Sequence, residues 1–153
     1  MLIPFFVGIF IIAILDQAAK FFAAGLLQEA GSKPLIENVF HLTYVENTGA
    51  GWGMFSDHTW ILTVVTFIIV VAAVAYVVVT RPKNRMLLTS ITFLLGGAIG
   101  NLVDRIRLGY VIDFFDFTLI DFPVFNIADC FVTIGAIIFA VYIIFFSDKK
   151  EEE

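Results

Sequence analysis

GGAIGNLVDRIRLGYVIDFFDFTLIDFPVFNIAD, residues 96–129, is the stretch on which the reading of this chain turns. It begins inside one apolar run and ends at the start of another. Between them stand Asp104, Asp113, Asp116, Asp121 and Asp129, with Arg105, Arg107, Asn101, Asn126 and Pro123. Charged groups at or near a bilayer are expensive, so they tend to be kept for function. This polar stretch therefore reads as the connection between two membrane spans and as the place where chemistry is to be sought.

The rest of the chain is apolar enough to embed it. Of 153 residues, 60% are hydrophobic and only 15% charged, and the mean hydropathy is +0.97. Average soluble domains are about 45–50% apolar and about 25% charged. The excess lies in runs of bilayer-crossing length, so the class is an integral membrane protein with room for one helical domain over 1–153. The net charge of −5 owes much to Glu151, Glu152 and Glu153, which read as a solvated tail and imply no nucleic-acid partner. Cys130 is the single cysteine, so no internal disulfide can form.

Upstream, residues 2–15 (LIPFFVGIFIIAIL) are apolar, and after Asp16, Gln17 and Lys20 the apolar character resumes to Leu27. No basic residue precedes the run, as a cleaved signal peptide would require, so one retained helix of about 24 residues is expected. Asp16 and Lys20 are spaced to pair on one face, either as a self-neutralised pair or as a polar contact to a site. Val39–Val45 (VFHLTYV) reads as a short strand. Asn47, Thr48, Gly49, Gly51 and Gly53 then signal a turn or a close backbone approach. His41 and His58 have no metal-ligand spacing, and neither a metal nor a cofactor is expected.

Residues 60–80 contain no charge and read as a second span, RPKNR (81–85) as a basic turn, and 86–104 and 128–146 as the third and fourth spans. The first is expected over about 3–25. Four spans put both termini and the 81–85 turn on one side, with Arg81, Lys83, Arg85, Lys149 and Lys150. The positive-inside rule makes that side cytoplasmic, which leaves 28–59 and 105–127 together on the outer face.

Within the central stretch, Gly96 and Gly100 form a small-xxx-small pair suited to close helix approach. Gly97, Asn101 and Arg105 share one helix face, bordered by Asp104. Residues 108–122 fit either a strand or an interfacial helix. Asn126 and Asp129 have the spacing of an N-terminal capping box, with Asp in place of Glu, and a first-turn carboxylate is favoured in its ionised form by the helix dipole. Two carboxylates forced together cannot both ionise easily. One keeps its proton while the other acts as a base, a pair able to activate water against a peptide carbonyl without serine, cysteine or metal. Spacing does not say which two of the aspartates would meet.

Four segments carry a resemblance. DQAAK resembles the D-Q-x-x-K of the bacterial lipoprotein signal peptidase (signal peptidase II) family. ENTGAGWGMF resembles its N-T-G-A-x-[WF]-[GS] segment. GGAIGNLVDRIRLGYVIDFFDF resembles its G-G-x-x-G-N-x-x-D-R-x-x-x-G-x-V-x-D-F block, and FNIADCFVTIG its F-N-x-A-D-x-x-I-x-x-G. Gly51 and Val132 are minor departures. The resemblance implies an all-α membrane bundle of four transmembrane helices with a small extracytoplasmic β-cradle, from residues around 35–57 and part of 108–122, and an interfacial segment. It implies an aspartyl endopeptidase with Asp113 and Asp129 as the catalytic pair. Asp16, Lys20, Asn47, Gly49, Gly97, Asn101, Asp104, Arg105, Asn126 and Ala128 would line or support the site. The implied substrate is a diacylglyceryl-modified prolipoprotein, cut on the amino side of its lipidated cysteine. Beyond membrane phospholipid no partner is implied, and no oligomer is required. The implied location is the bacterial inner membrane. The rival reading is a small ion- or proton-translocating protein using Asp16, Lys20 and Asp113; a third is a structural partner subunit. The clustering of acids at one outer end speaks against a conduction path.

Overall fold

The computed structural model describes residues 2–49, 58–120 and 122–146. Four long helices carry it: α1 (Leu2–Leu27), α2 (Thr59–Thr80), α3 (Arg85–Leu108) and α4 (Ile127–Phe146). At about 1.5 Å rise per residue each reaches or exceeds the roughly 30 Å of a hydrocarbon core. Three of them expose their apolar faces widely, as lipid-facing helices do. The most apolar window of α3 is 56% buried, against 11–22% for the others. α3 is thus the central post of the bundle, packed against α1, α2 and α4, which is why it alone can carry a polar end.

Small residues set these distances. A Cβ on Gly96 would stand 2.7 Å from Ile12 of α1. One on Gly100 would meet the Asp16 carboxylate at 2.6 Å, and one on Gly97 would strike the Ala128 carbonyl of α4. The expected small-xxx-small approach is therefore made to α1, while Gly97 admits α4. Towards the N-terminal end of α1 the bundle closes on Phe5, Ile9, Val77, Leu87, Ile91, Leu95 and Tyr142.

Helix ends follow local chemistry. The Asn84 side chain accepts from the Met86 and Leu87 N–H groups at 2.9 and 3.1 Å and starts α3. The helix runs to Leu108, four residues beyond the expected end at 104, and takes Arg105 and Arg107 into its last turn. Cations are favoured there by the helix dipole. Gly109, at φ +83°, then turns the chain out of the helix.

The cradle is a three-stranded antiparallel sheet in the order β1 (Ser32–Ile36), β2 (Phe40–Asn47), β3 (Val111–Asp116). β2 matches the strand expected over 39–45 and extends it. The ambiguous 108–122 segment resolves into β3 followed by a single 3-10 turn at Thr118–Ile120. β1 was not expected. It is an exposed edge strand containing Pro34, a residue tolerated only where a ladder N–H is not needed. Residues 50–57 of the glycine-rich segment, and Asp121, lie outside the described residues.

One backbone clip ties the sheet to α4. Phe115 and Phe125 exchange N–H···O bonds of 2.8 and 3.0 Å, and Phe115, Phe117 and Phe122 ring Phe125. On the other face of β3, Phe114 packs on Ala23 and Leu27 of α1. β3 is thus fixed on both sides, and the start of α4 is laid against it.

Gly97→Ala should lower the unfolding temperature in detergent, by a loss of about 1–3 kcal/mol typical of overpacking. Gly25→Ala, with nothing within 4 Å of its added Cβ, should be neutral or stabilise by roughly 0.5–1 kcal/mol. Thermal unfolding of the two variants checks the contrast.

Candidate active site

The carboxylates that meet are Asp113 from β3 and Asp129 from the first turn of α4. The Phe115–Phe125 clip brings Asn126 against β3, where its Nδ2 donates to Asp113 Oδ1 at 2.5 Å. Asn126 also closes the expected capping box. Its Oδ1 accepts the Asp129 N–H at 3.0 Å, and its own N–H donates to Asp129 Oδ2 at 3.1 Å. Asn101 of α3 completes the frame: its Nδ2 donates to Asp129 Oδ1 at 2.8 Å, and its Oδ1 accepts from Asn126 Nδ2 at 3.0 Å. From β2, Asn47 Nδ2 donates to Asp113 Oδ2 at 2.8 Å.

Asp113 and Asp129 share the wall of one cavity of about 550 Å³. Asn47, Asn101 and Arg105 form its polar side; Val111, Phe122, Val124, Phe125 and Ile134 its apolar side. The composition is that of a site for a mostly apolar ligand with a few oriented polar groups. Arg105 Nη2 donates to the Gly49 carbonyl at 3.2 Å, and the Gly49 N–H donates to Asn47 Oδ1 at 3.0 Å. Gly49 therefore links the α3 cation to the β2 amide.

Behind this wall lies a buried ionic cluster. Lys20 spends its three protons on Asp16 Oδ2 at 2.8 Å, Asp104 Oδ2 at 2.9 Å and Asn101 Oδ1 at 2.7 Å. Asp16 Oδ1 accepts the Ala128 N–H at 2.8 Å, capping α4 from another helix. Asp104 Oδ2 accepts the Ile112 N–H at 3.2 Å and so holds the start of β3.

Burial, with the Asp129 charge beside it, pushes the Asp113 carboxyl up to about 7 against the amide hydrogen bonds of Asn47 and Asn126 and the Lys20 ammonium. The pair can thus hold one proton between two oxygen acids near neutral pH.

Comparison with known proteins decides the family. The model for signal peptidase (SPase) II matches residues 8–145. The chain belongs to the signal peptidase II family. The lipoprotein signal peptidase of Caldanaerobacter subterraneus subsp. tengcongensis is 46% identical over 135 residues, covering 88% of this chain and 91% of that protein. That of Clostridioides difficile is 42% identical, covering 89% and 91%. A bacterial membrane enzyme solved by the in meso method at 2.3 Å resolution superposes with a TM-score of 0.85 at 31% identity, covering 98% of this chain and 93% of that one.

The residues singled out from the family's motifs lie in one connected region. Asp113 and Asp129 face the cavity with Asn47, Asn101 and Arg105, and Asn126 links the two acids. Asp16, Lys20 and Asp104 stand one layer behind; Gly49 braces Arg105, and Gly97 and Ala128 form the α3–α4 contact. Gln17 was not among them. Its Nε2 donates to Asp104 Oδ1 at 2.8 Å and to the Gly100 carbonyl at 3.1 Å, stitching α1 to α3. A polar residue inside an apolar span was the available signal. Cys130 also reaches the cavity wall, one place along α4 from Asp129. Among the described residues no cluster of His, Cys, Asp or Glu is arranged to hold a metal ion.

The folded value of Asp113 stands above its ordinary 3.8, so folding disfavours its ionised form. Its contribution to stability should fall as pH rises from about 4 to about 7, then level off. Asp129→Asn removes the neighbouring charge and should lower the Asp113 midpoint. Carboxyl-carbon NMR of both proteins across this range reads the shift directly.

Proposed function

We propose that the chain is an aspartyl endopeptidase of the membrane that removes the signal peptide from diacylglyceryl-modified prolipoproteins, cutting on the amino side of the lipidated cysteine. Family membership and the lipoprotein signal peptidases it resembles support the substrate class. The observation that carries the catalytic type is the juxtaposition of Asp113 and Asp129 through Asn126, on the wall of a cavity with an apolar side.

The roles follow from the surroundings. Asp129, in the first turn of α4, is the base; Asp113, raised to about 7, holds the proton. Water between them gives a proton to Asp129 as its oxygen attacks the scissile carbonyl carbon. Asp113 gives its proton to the carbonyl oxygen, and a gem-diol forms. On collapse Asp113 recovers a proton from one hydroxyl, Asp129 protonates the departing nitrogen, and the C–N bond breaks. The pair returns to its starting state, freeing the lipidated cysteine as a new N-terminus.

Asn47, Asn101 and Asn126 fix the two carboxylates, so little reorganisation is needed at the moment of reaction. Arg105 has a buried Nε without a partner among the described residues, and it lines the cavity, so it is assigned to a substrate backbone carbonyl. The apolar wall takes the acyl chains or the signal segment. With both termini cytoplasmic, by the excess of Arg and Lys around 81–85, the pair acts near the outer face of the bacterial inner membrane.

Asp113→Asn and Asp129→Asn should each lose roughly 10²–10⁴-fold or more in kcat on a lipidated prolipoprotein, the range of acid–base contributions. Both should keep the thermal unfolding profile of a folded bundle. Substantial turnover by both variants would remove the assignment. Ion or proton flux in liposomes without proteolysis would instead support a translocating protein.

A further inference from the structure

Lys20 is 1% exposed; it stands behind the cavity wall and is not among the residues that line the cavity. Two of its contacts, to Asp16 and Asp104, are ion pairs of a common structural kind. The third, to Asn101, has a consequence for the reacting groups. An ammonium has three donors and no acceptor. The Asn101 atom 2.7 Å from Nζ must therefore be the oxygen.

A second donor agrees. The Asn126 amide is itself oriented by a backbone N–H, since its Oδ1 accepts from Asp129. Its Nδ2 therefore points at the same Asn101 oxygen, at 3.0 Å. With Oδ1 committed to both donors, Asn101 presents Nδ2 to Asp129 Oδ1. The reversed amide would put a lone pair against a carboxylate and an N–H against an ammonium.

We propose that Lys20 is a positioning residue of the reaction: acting through Asn101, its ammonium locks the amide in the orientation that holds Asp129 for attack. The inference rests on the aspartyl-peptidase reading and extends it to a residue that touches neither substrate nor water. It also explains why so costly a charge is placed in the span. Asp16 and Gln17 alone could stitch α1 to α3 and α4, through the Ala128 N–H, the Gly100 carbonyl and Asp104.

Among the described residues the groups facing the pair are few. α1 contributes the Lys20 cation, paired with Asp16; α3 contributes Asp104 and Arg105; α4 contributes Cys130 beside Asp129; β2 contributes the uncharged Asn47. Removing the Lys20 charge makes Asp113 harder to ionise, so the pH profile should move to higher pH.

The test compares three variants with the parent on a diacylglyceryl-modified prolipoprotein, reading kcat, KM, the pH dependence of kcat/KM and thermal unfolding. Lys20→Met removes the lock without supplying another donor. Lys20→Met/Asp104→Asn removes it while keeping the net charge of the buried cluster and guards against simple misfolding. Gln17→Leu disrupts the α1–α3 stitching and leaves the lock intact.

Both Lys20 variants should lose about 10²-fold in kcat with KM within about twofold, and the Lys20→Met profile should shift upward by about half a pH unit or more, a shift the charge-balanced double variant should largely cancel. Gln17→Leu should lower the unfolding temperature without moving the profile. A Lys20→Met/Asp104→Asn protein with parental kcat, or a Lys20→Met protein with an unmoved profile, would overturn the proposal. So would losses that simply follow unfolding temperature across all three variants. Parental cleavage and its loss in Asp113→Asn test the peptidase reading separately.

Discussion

Every polar atom of the Asn126 side chain is committed, and the arrangement of the reacting groups depends on it. Its oxygen caps α4 at the Asp129 N–H; its nitrogen reaches Asp113 on β3 and Asn101 on α3. The residue is fully buried, so none of these bonds can be traded for water, and leaving a buried polar atom unmade would cost about 1–3 kcal/mol. One side chain thus ties a strand, a helix start and a second helix into a single frame. The two acids are close because both accept from Asn126, Asp113 from its side-chain Nδ2 and Asp129 from its backbone N–H, on elements whose backbones are clipped together at Phe115 and Phe125.

The frame stands on an ionic cluster that a membrane would ordinarily exclude. Isolated charges at bilayer depth are strongly disfavoured. Here Lys20 meets two carboxylates and an amide oxygen, and each of those carboxylates takes a further backbone N–H. A fully satisfied network of this kind is stable in a low-dielectric interior, whereas a partly satisfied one is not. It is also directional: charge on α1 orients an amide on α3, which in turn holds an acid on α4. Close helix approach at Gly96, Gly97 and Gly100 is what allows side chains this short to reach one another.

Much of this was legible in the sequence, for definite reasons. The spans were visible because lipid selects for predominantly apolar runs of that length. β2 was visible through Phe40, Thr43, Tyr44 and Val45, residues that suit a half-buried pleat. The Asn126–Asp129 box was visible because capping is local and has fixed spacing. The edge strand β1 was hidden by Pro34 and by its wholly exposed side chains, which leave no alternation to read. The true end of α3 was hidden because the apolar run stops before Asp104, so Arg107 and Leu108 read as loop until Gly109 is recognised as the C-terminal stop. That Asp113 rather than Asp116 faces the cavity depends on the strand register, with its bulge between Leu42 and Val45, and on the clip to Phe125. Neither is encoded in spacing. Family resemblance supplied Asp113 and Asp129 where periodicity could not. Gln17 sat within a motif yet was passed over, because its partners lie on another helix.

The most direct measurement is the fate of the scissile bond. Purified protein in detergent is given a diacylglyceryl-modified prolipoprotein in ¹⁸O-water, and both products are mapped by mass spectrometry. The result expected is a product beginning at the lipidated cysteine with a free amine, and a signal peptide carrying one heavy oxygen in its new carboxyl, both absent with Asp113→Asn. An intact substrate in the presence of folded parent protein, or labelled products undiminished in Asp113→Asn, would contradict a water-activating aspartate pair.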